Sequence, residues 1–151
     1  MGRRKSLLNF LLPITCLSML VGSAQSLQAA AVPTGDRRVH LNLDPAERAE
    51  FLSEMRQMLA SIQGIIAGIG EEDRERIIEA ARYSGNRMAR ATPASVRARL
   101  PKEFREIGGP THMLFEEIVI RAETDDMASL AELTGRTMQN CLACHARFRA
   151  D

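Results

Sequence analysis

Five consecutive residues near the end of this 151-residue chain, Cys141-Leu142-Ala143-Cys144-His145, put two thiols and an imidazole within one helical turn. Residues three and four apart share a face of a helix, so all three side chains are set to reach one object. The C-x-x-C-H spacing is the attachment signature of a covalent c-type haem. The thiols of Cys141 and Cys144 add to the two vinyl groups of the porphyrin, and His145 becomes the proximal iron ligand through Nε2. The expected cofactor is haem c, one per chain.

Three rival chemistries fit less well. Structural zinc needs four ligands, and outside the first thirty residues only His40 and His112 could add to the set. A thiol redox motif is expected beside a β-α-β pattern, and no alternating apolar run marks a strand here. A plain disulfide leaves His145 without a role.

The elements that must position this motif follow from the rest of the chain. Residues 1–30 read as a secretory signal peptide: Arg3, Arg4 and Lys5, the apolar stretch Leu7 to Val21, then small residues up to Ala29 and Ala30. Asn9, Pro13, Thr15 and Ser18 interrupt the stretch, so no stable membrane span is expected after cleavage. Cys16 belongs to that segment. Export agrees with the motif, because bacteria attach covalent haem on the exported side of the membrane, and the expected location is the periplasm. The first thirty residues hold three of the 20 Lys and Arg and none of the 19 Asp and Glu. What remains is slightly acidic, which excludes a nucleic-acid binder held by bulk positive charge. A hydrophobic content of 45% is enough for a folded core and argues against disorder.

Residues 31–43, with Pro33 and Gly35, show no period and read as a flexible N-terminal arm; His40 lies there. Asp44-Pro45-Ala46-Glu47 is a helix start with the elements of a capping box. Phe51, Met55, Met58, Ile62, Ile65 and Ile69 then form an apolar stripe, which Gly68 and Gly70 are expected to end. A second helix begins after Glu71-Glu72-Asp73 and runs to about Arg90. Thr92 to Pro110 reads as a long connection with one short helical turn. Pro110 opens a third helix facing inward through Leu114, Phe115, Ile118 and Val119. A fourth, capped at Thr124-Asp125-Asp126, runs to about Arg149. The expected fold is all-α, an antiparallel four-helix bundle over residues 44–151 with the haem near its C-terminus.

A C-x-x-C-H this close to the end of a four-helix chain resembles the class II cytochromes c, the cytochrome c′ group and its low-spin relatives. The resemblance covers about residues 44–150 and is most specific in CLACHARFR. It implies that Arg149 lies near the proximal imidazole, and that the distal residue comes from the first helix. Register places Met55 there, as an axial thioether ligand beside His145, with Met58 the next candidate; a methionine at helical spacing is otherwise a flexible core filler. His112 could approach the haem edge, and Arg56, Arg136 or Arg147 the propionates. The resemblance implies an electron carrier and not an enzyme, serving redox partner proteins of the exported compartment, with a possible homodimer. The alternative is a five-coordinate iron of the cytochrome c′ type that binds nitric oxide or carbon monoxide. The connection carrying Arg97, Arg99, Lys102 and Arg105 against Glu103 and Glu106 reads as a solvated surface or a docking patch for an acidic partner.

Overall fold

The computed structural model describes residues 35–151. The segment read as a signal peptide, residues 1–30 with Cys16, and residues 31–34 of the arm lie outside the described residues. The elements in order are β1 (Val39–His40), α1 (Pro45–Glu71), α2 (Arg74–Ser84), α3 (Asn86–Ala91), α4 (Ala94–Arg99), α5 (Lys102–Arg121), α6 (Met127–Arg147) and β2 (Phe148–Arg149). The chain is mostly helical. α1 packs on α2 and α6, and α5 packs on α2 and α6. No helix among the described residues is long and apolar enough to cross a membrane.

α1 begins as its sequence dictates. The Asp44 carboxylate accepts from the amides of Ala46 and Glu47, each at 2.9 Å, and Glu47 reaches back to the Asp44 amide at 3.0 Å. Gly68 and Gly70 do not end the helix, which runs on to Glu71 and closes through Glu72 in the left-handed region at φ 56°. Gly68 is small for a packing reason instead: a Cβ there would stand 2.7 Å from Ile77 Cγ1 on α2. Asp73 caps α2 by accepting from the Arg76 amide.

The expected second helix is two helices. α2 stops at Ser84, and Glu116 of α5 accepts from the Asn86 amide at 2.7 Å, capping α3 from across the fold. The third expected helix starts eight residues early. α5 runs from Lys102 straight through Gly108, Gly109 and Pro110. Pro110 is exposed, so the Glu106 carbonyl that loses its amide partner faces water rather than a dry interior. α6 ends at Arg147, two residues before the expected limit, because Phe148 and Arg149 leave the helix as β2.

β2 pairs in parallel with β1, Val39 opposite Phe148 and His40 opposite Arg149, and the Leu41 amide extends the ladder to the Arg149 carbonyl. This two-residue ladder is the one departure from an all-helical fold among the described residues. It also corrects the reading of the whole arm as loose, since Leu41 is 5% exposed and packs with Leu100 and Phe148.

The buried side chains fall into two clusters. The main core joins Ile62 and Ile65 of α1, Ile77 and Ala81 of α2, Phe115, Ile118 and Ala122 around α5, and Leu130 and Leu133 of α6. The second gathers Leu41, Leu100 and Phe148, with Phe51, Phe104, Ile107 and Cys144 packed against them.

Candidate functional site

α6 carries the cysteine–histidine motif in its last two turns. Asp126 caps the helix by accepting from the Ser129 amide at 2.7 Å. Its buried stripe runs Leu130, Leu133, Thr134 and Thr137, and the helical repeat extends that stripe into Cys141 and Cys144. Both thiols are half-buried and are not joined as a disulfide. The Cys141 thiol donates to the Thr137 carbonyl at 3.6 Å. His145 stands at the margin of the stripe with an exposed side chain, and its carbonyl accepts from Arg38 at 3.4 Å.

Aromatic rings wall the end where Cys144 lies. Phe104 of α5 sits 5.8 Å from Phe51 of α1 and 5.3 Å from Phe148 of β2, the second pair edge to face. Sequence reading had not marked Phe104 or Leu100 as neighbours of the motif. The signal was present in the spacing Leu100, Phe104, Ile107, Thr111 and Phe115, which is one helical stripe, but Gly108-Gly109-Pro110 reads locally as a break.

Between the two apolar clusters lies a layer of different character. On α1 the order is Phe51, then Met55, then Met58 and Ile62; on α5 it is Ile107, Thr111, Phe115; on α6 it is Leu133, Thr137, Cys141, Cys144. Thr111 and Thr137 are buried and turn their hydroxyls onto their own helices, to the carbonyls of Ile107 at 2.7 Å and Leu133 at 2.9 Å. Their remaining surface toward the interior is a methyl group. Along these helices the two clusters are therefore separated by residues that belong to neither.

The electrostatics of the thiols separate the rival chemistries. Burial raises Cys141 above the ordinary thiol value, and burial together with Cys141 pushes Cys144 up to about 11. Both lie at the C-terminal end of a helix, where the dipole disfavours a thiolate. Redox and nucleophilic cysteines are lowered, at helix N-termini or beside cations, so this pair has the opposite setting. Among the described residues no group of three or more His, Cys, Asp and Glu is placed to hold a metal ion.

A haem c would take two thiols and one imidazole from a single helix face, and this chain presents that set free of disulfide and of competing ion pairs among the described residues. Arg149 adds an orphaned donor. Its Nη1 pairs with Asp151 at 2.7 Å, while its Nε is buried without a hydrogen-bond partner among the described residues. The donor set and the unsatisfied Arg149 nitrogen fit the group.

The remaining candidates are placed more remotely. Met58 packs on the main core. Met55, one turn nearer the start of α1, is half-buried. His112 is held by the backbone, its Nδ1 donating to the Ser84 carbonyl at 2.7 Å. Arg136 pairs with Glu117 at 3.7 Å, and Arg56 and Arg147 are exposed. His40 donates from Nε2 to the Asp151 carbonyl, and Arg48 donates to that of Ala150, so the end of the chain is tied down from two sides.

Comparison of the chain with protein-family models, with curated proteins and with solved structures finds no match in any of the three.

Proposed function

We propose that this protein is an exported, periplasmic monohaem c-type cytochrome that carries electrons, with α1, α2, α5 and α6 serving as an antiparallel four-helix bundle of the class II kind. The observation that carries the reading is the placement of Cys141, Cys144 and His145 at one helix end, both thiols unpaired and half-buried, Cys144 against an aromatic wall.

Cys141 and Cys144 would hold the porphyrin through their two sulfurs. His145, on the same helix as both cysteines, would offer its imidazole nitrogen to the iron. When bound, the haem supplies the one-electron iron couple. Phe51, Phe104 and Phe148 exclude water from the attachment side. Met55 of α1 would offer a thioether, a ligand that favours the ferrous state and raises the potential. Arg149 offers its unpaired Nε as a donor near the proximal side.

Met55 decides between the carrier and the five-coordinate form that binds nitric oxide or carbon monoxide. The test is the electronic spectrum of the purified protein, ferric and then reduced with and without carbon monoxide. The carrier gives a low-spin ferric spectrum and a reduced form indifferent to carbon monoxide, and Met55→Ala converts it to high-spin. A high-spin wild type that binds carbon monoxide at once rejects Met55 and establishes the gas-binding form; a protein without attached haem rejects both.

A further inference from the structure

The connection from α3 to the start of α5 builds a cationic face. Arg87, Arg90, Arg97 and Arg105 are exposed and pair with no carboxylate among the described residues, whereas Arg99 and Lys102 pair with Glu47 and Glu106. Hydrogen bonds hold the face together: Arg97 donates to the Ala89 carbonyl at 3.4 Å, and Arg105 donates to the Arg97 carbonyl at 3.1 Å. Two free cations are thereby spent on backbone oxygens, which leaves their charge uncancelled. The face is also the outer side of the motif's own wall, since Leu100 and Phe104, set between these arginines, pack in the cluster that contains Cys144.

The opposite end of the molecule has the reverse sign. Glu71, Glu72, Asp73 and Glu75 crowd the α1–α2 turn, and Glu123, Asp125 and Asp126 the α5–α6 turn. Arg74 donates to the Ala122 carbonyl at 2.6 Å and joins the two turns. A near-neutral chain is thus polarised along its length, positive where the motif lies.

We propose that the face formed by Arg87, Arg90, Arg97 and Arg105 docks a carboxylate-rich surface of the redox partner, bringing that partner to the Cys144 end of the molecule. This rests on the electron-carrier reading. A protein surface is favoured over an anionic membrane because no large apolar side chain is exposed between residues 87 and 105. A membrane-seeking segment interleaves such residues with its cations. Complementary charge of this kind acts mainly on the rate of encounter.

The experiment uses the mature protein and two anionic probes. Hexacyanochromate(III), paramagnetic and redox-inert, is titrated at low ionic strength while amide resonances are followed. Broadening concentrated on residues 87–105, and lost in Arg97→Gln/Arg105→Gln, is the expected result; broadening spread evenly or centred elsewhere overturns the proposal. In parallel, oxidation of the ferrous protein by hexacyanoferrate(III), which takes one electron per iron, should slow on the order of tenfold in the double variant. The double lysine variant should restore the rate. An unchanged rate overturns the proposal. Firm binding to phosphatidylglycerol vesicles at about 0.15 M salt, abolished by the double variant, would assign the face to lipid instead. If no haem is attached, the carrier reading has failed, while the broadening measurement still judges the face by itself.

Discussion

The two ends of this molecule solve the same problem differently. At the end formed by the α1–α2 and α5–α6 turns, every local need is met from nearby. Asp73 and Asp126 cap their helices, Glu72 closes α1, and Ile65, Ile77, Phe115, Ile118, Leu130 and Leu133 are wholly buried beneath. At the other end the closure is improvised from distant parts. A two-residue parallel ladder joins Val39–His40 to Phe148–Arg149, Arg38, His40 and Arg48 hold backbone carbonyls of the last seven residues, and Arg149 Nε has no partner among the described residues. Cys144 packs within that closure, and burial raises both its thiol and that of Cys141. Packing explains the first end completely. The second leaves both thiols without a disulfide and the Arg149 Nε without a hydrogen-bond partner among the described residues.

The largest effect separates the ends by chemistry. Cys141→Ala/Cys144→Ala should take covalent haem from one per chain to none, read by intact mass, while circular dichroism of the helices persists. Attached haem in that variant would remove the thiols from the account. Next comes a break at the packed end. Phe115→Ala should cost about 3–5 kcal/mol in denaturant unfolding yet leave the reduced absorption maxima in place; a shifted spectrum would mean that the two clusters are not independent. Gly68→Ala should lose roughly 1–3 kcal/mol from overpacking against Ile77, and Asp44→Ala about 1 kcal/mol from the lost cap. A neutral Gly68→Ala would show that the α1–α2 contact can open.

The smallest effect is a titration of the clasp. The hydrogen bond to the Asp151 carbonyl, then Asn42, raises His40 above the ordinary histidine range. Its contribution is therefore complete below that range and lost as pH rises through the raised value. Asp36, held at about 2 by hydrogen bonds from Arg38, contributes above its ordinary value and fades only near that acid limit. Around neutrality the Leu41 amide, corrected for intrinsic exchange, should lose protection as pH increases, and His40→Gln should flatten the dependence. Protection that grows with pH would contradict the assigned contact.

The sequence was most legible where forces are local. The capping box at Asp44 and Glu47, the α1 stripe, the inward face of α6 and the motif itself needed only neighbours within one or two turns. It was least legible where distant residues override local signals. Gly85 breaks the expected second helix because Glu116 reaches over from α5; a Cβ at Gly85 would stand 2.2 Å from that carboxylate. Gly108-Gly109-Pro110 looks like a boundary, yet Phe104 and Ile107 gain enough by packing beside Cys144 to carry α5 through it. The β1–β2 ladder has no signature in two residues each. Within the candidate site, Cys141, Cys144 and His145 were readable from spacing. The choice between Met55 and Met58 was not, since both fall on the same α1 stripe and only packing sets Met58 on the main core.

The central claim is a covalent bond between this polypeptide and a macrocycle. Trypsin should release Thr137–Arg147 from the exported, processed protein, cut after Arg136 and Arg147. The account predicts that this peptide carries the added mass of one haem and no free thiol. The unmodified peptide, with both cysteines open to alkylation, would contradict it.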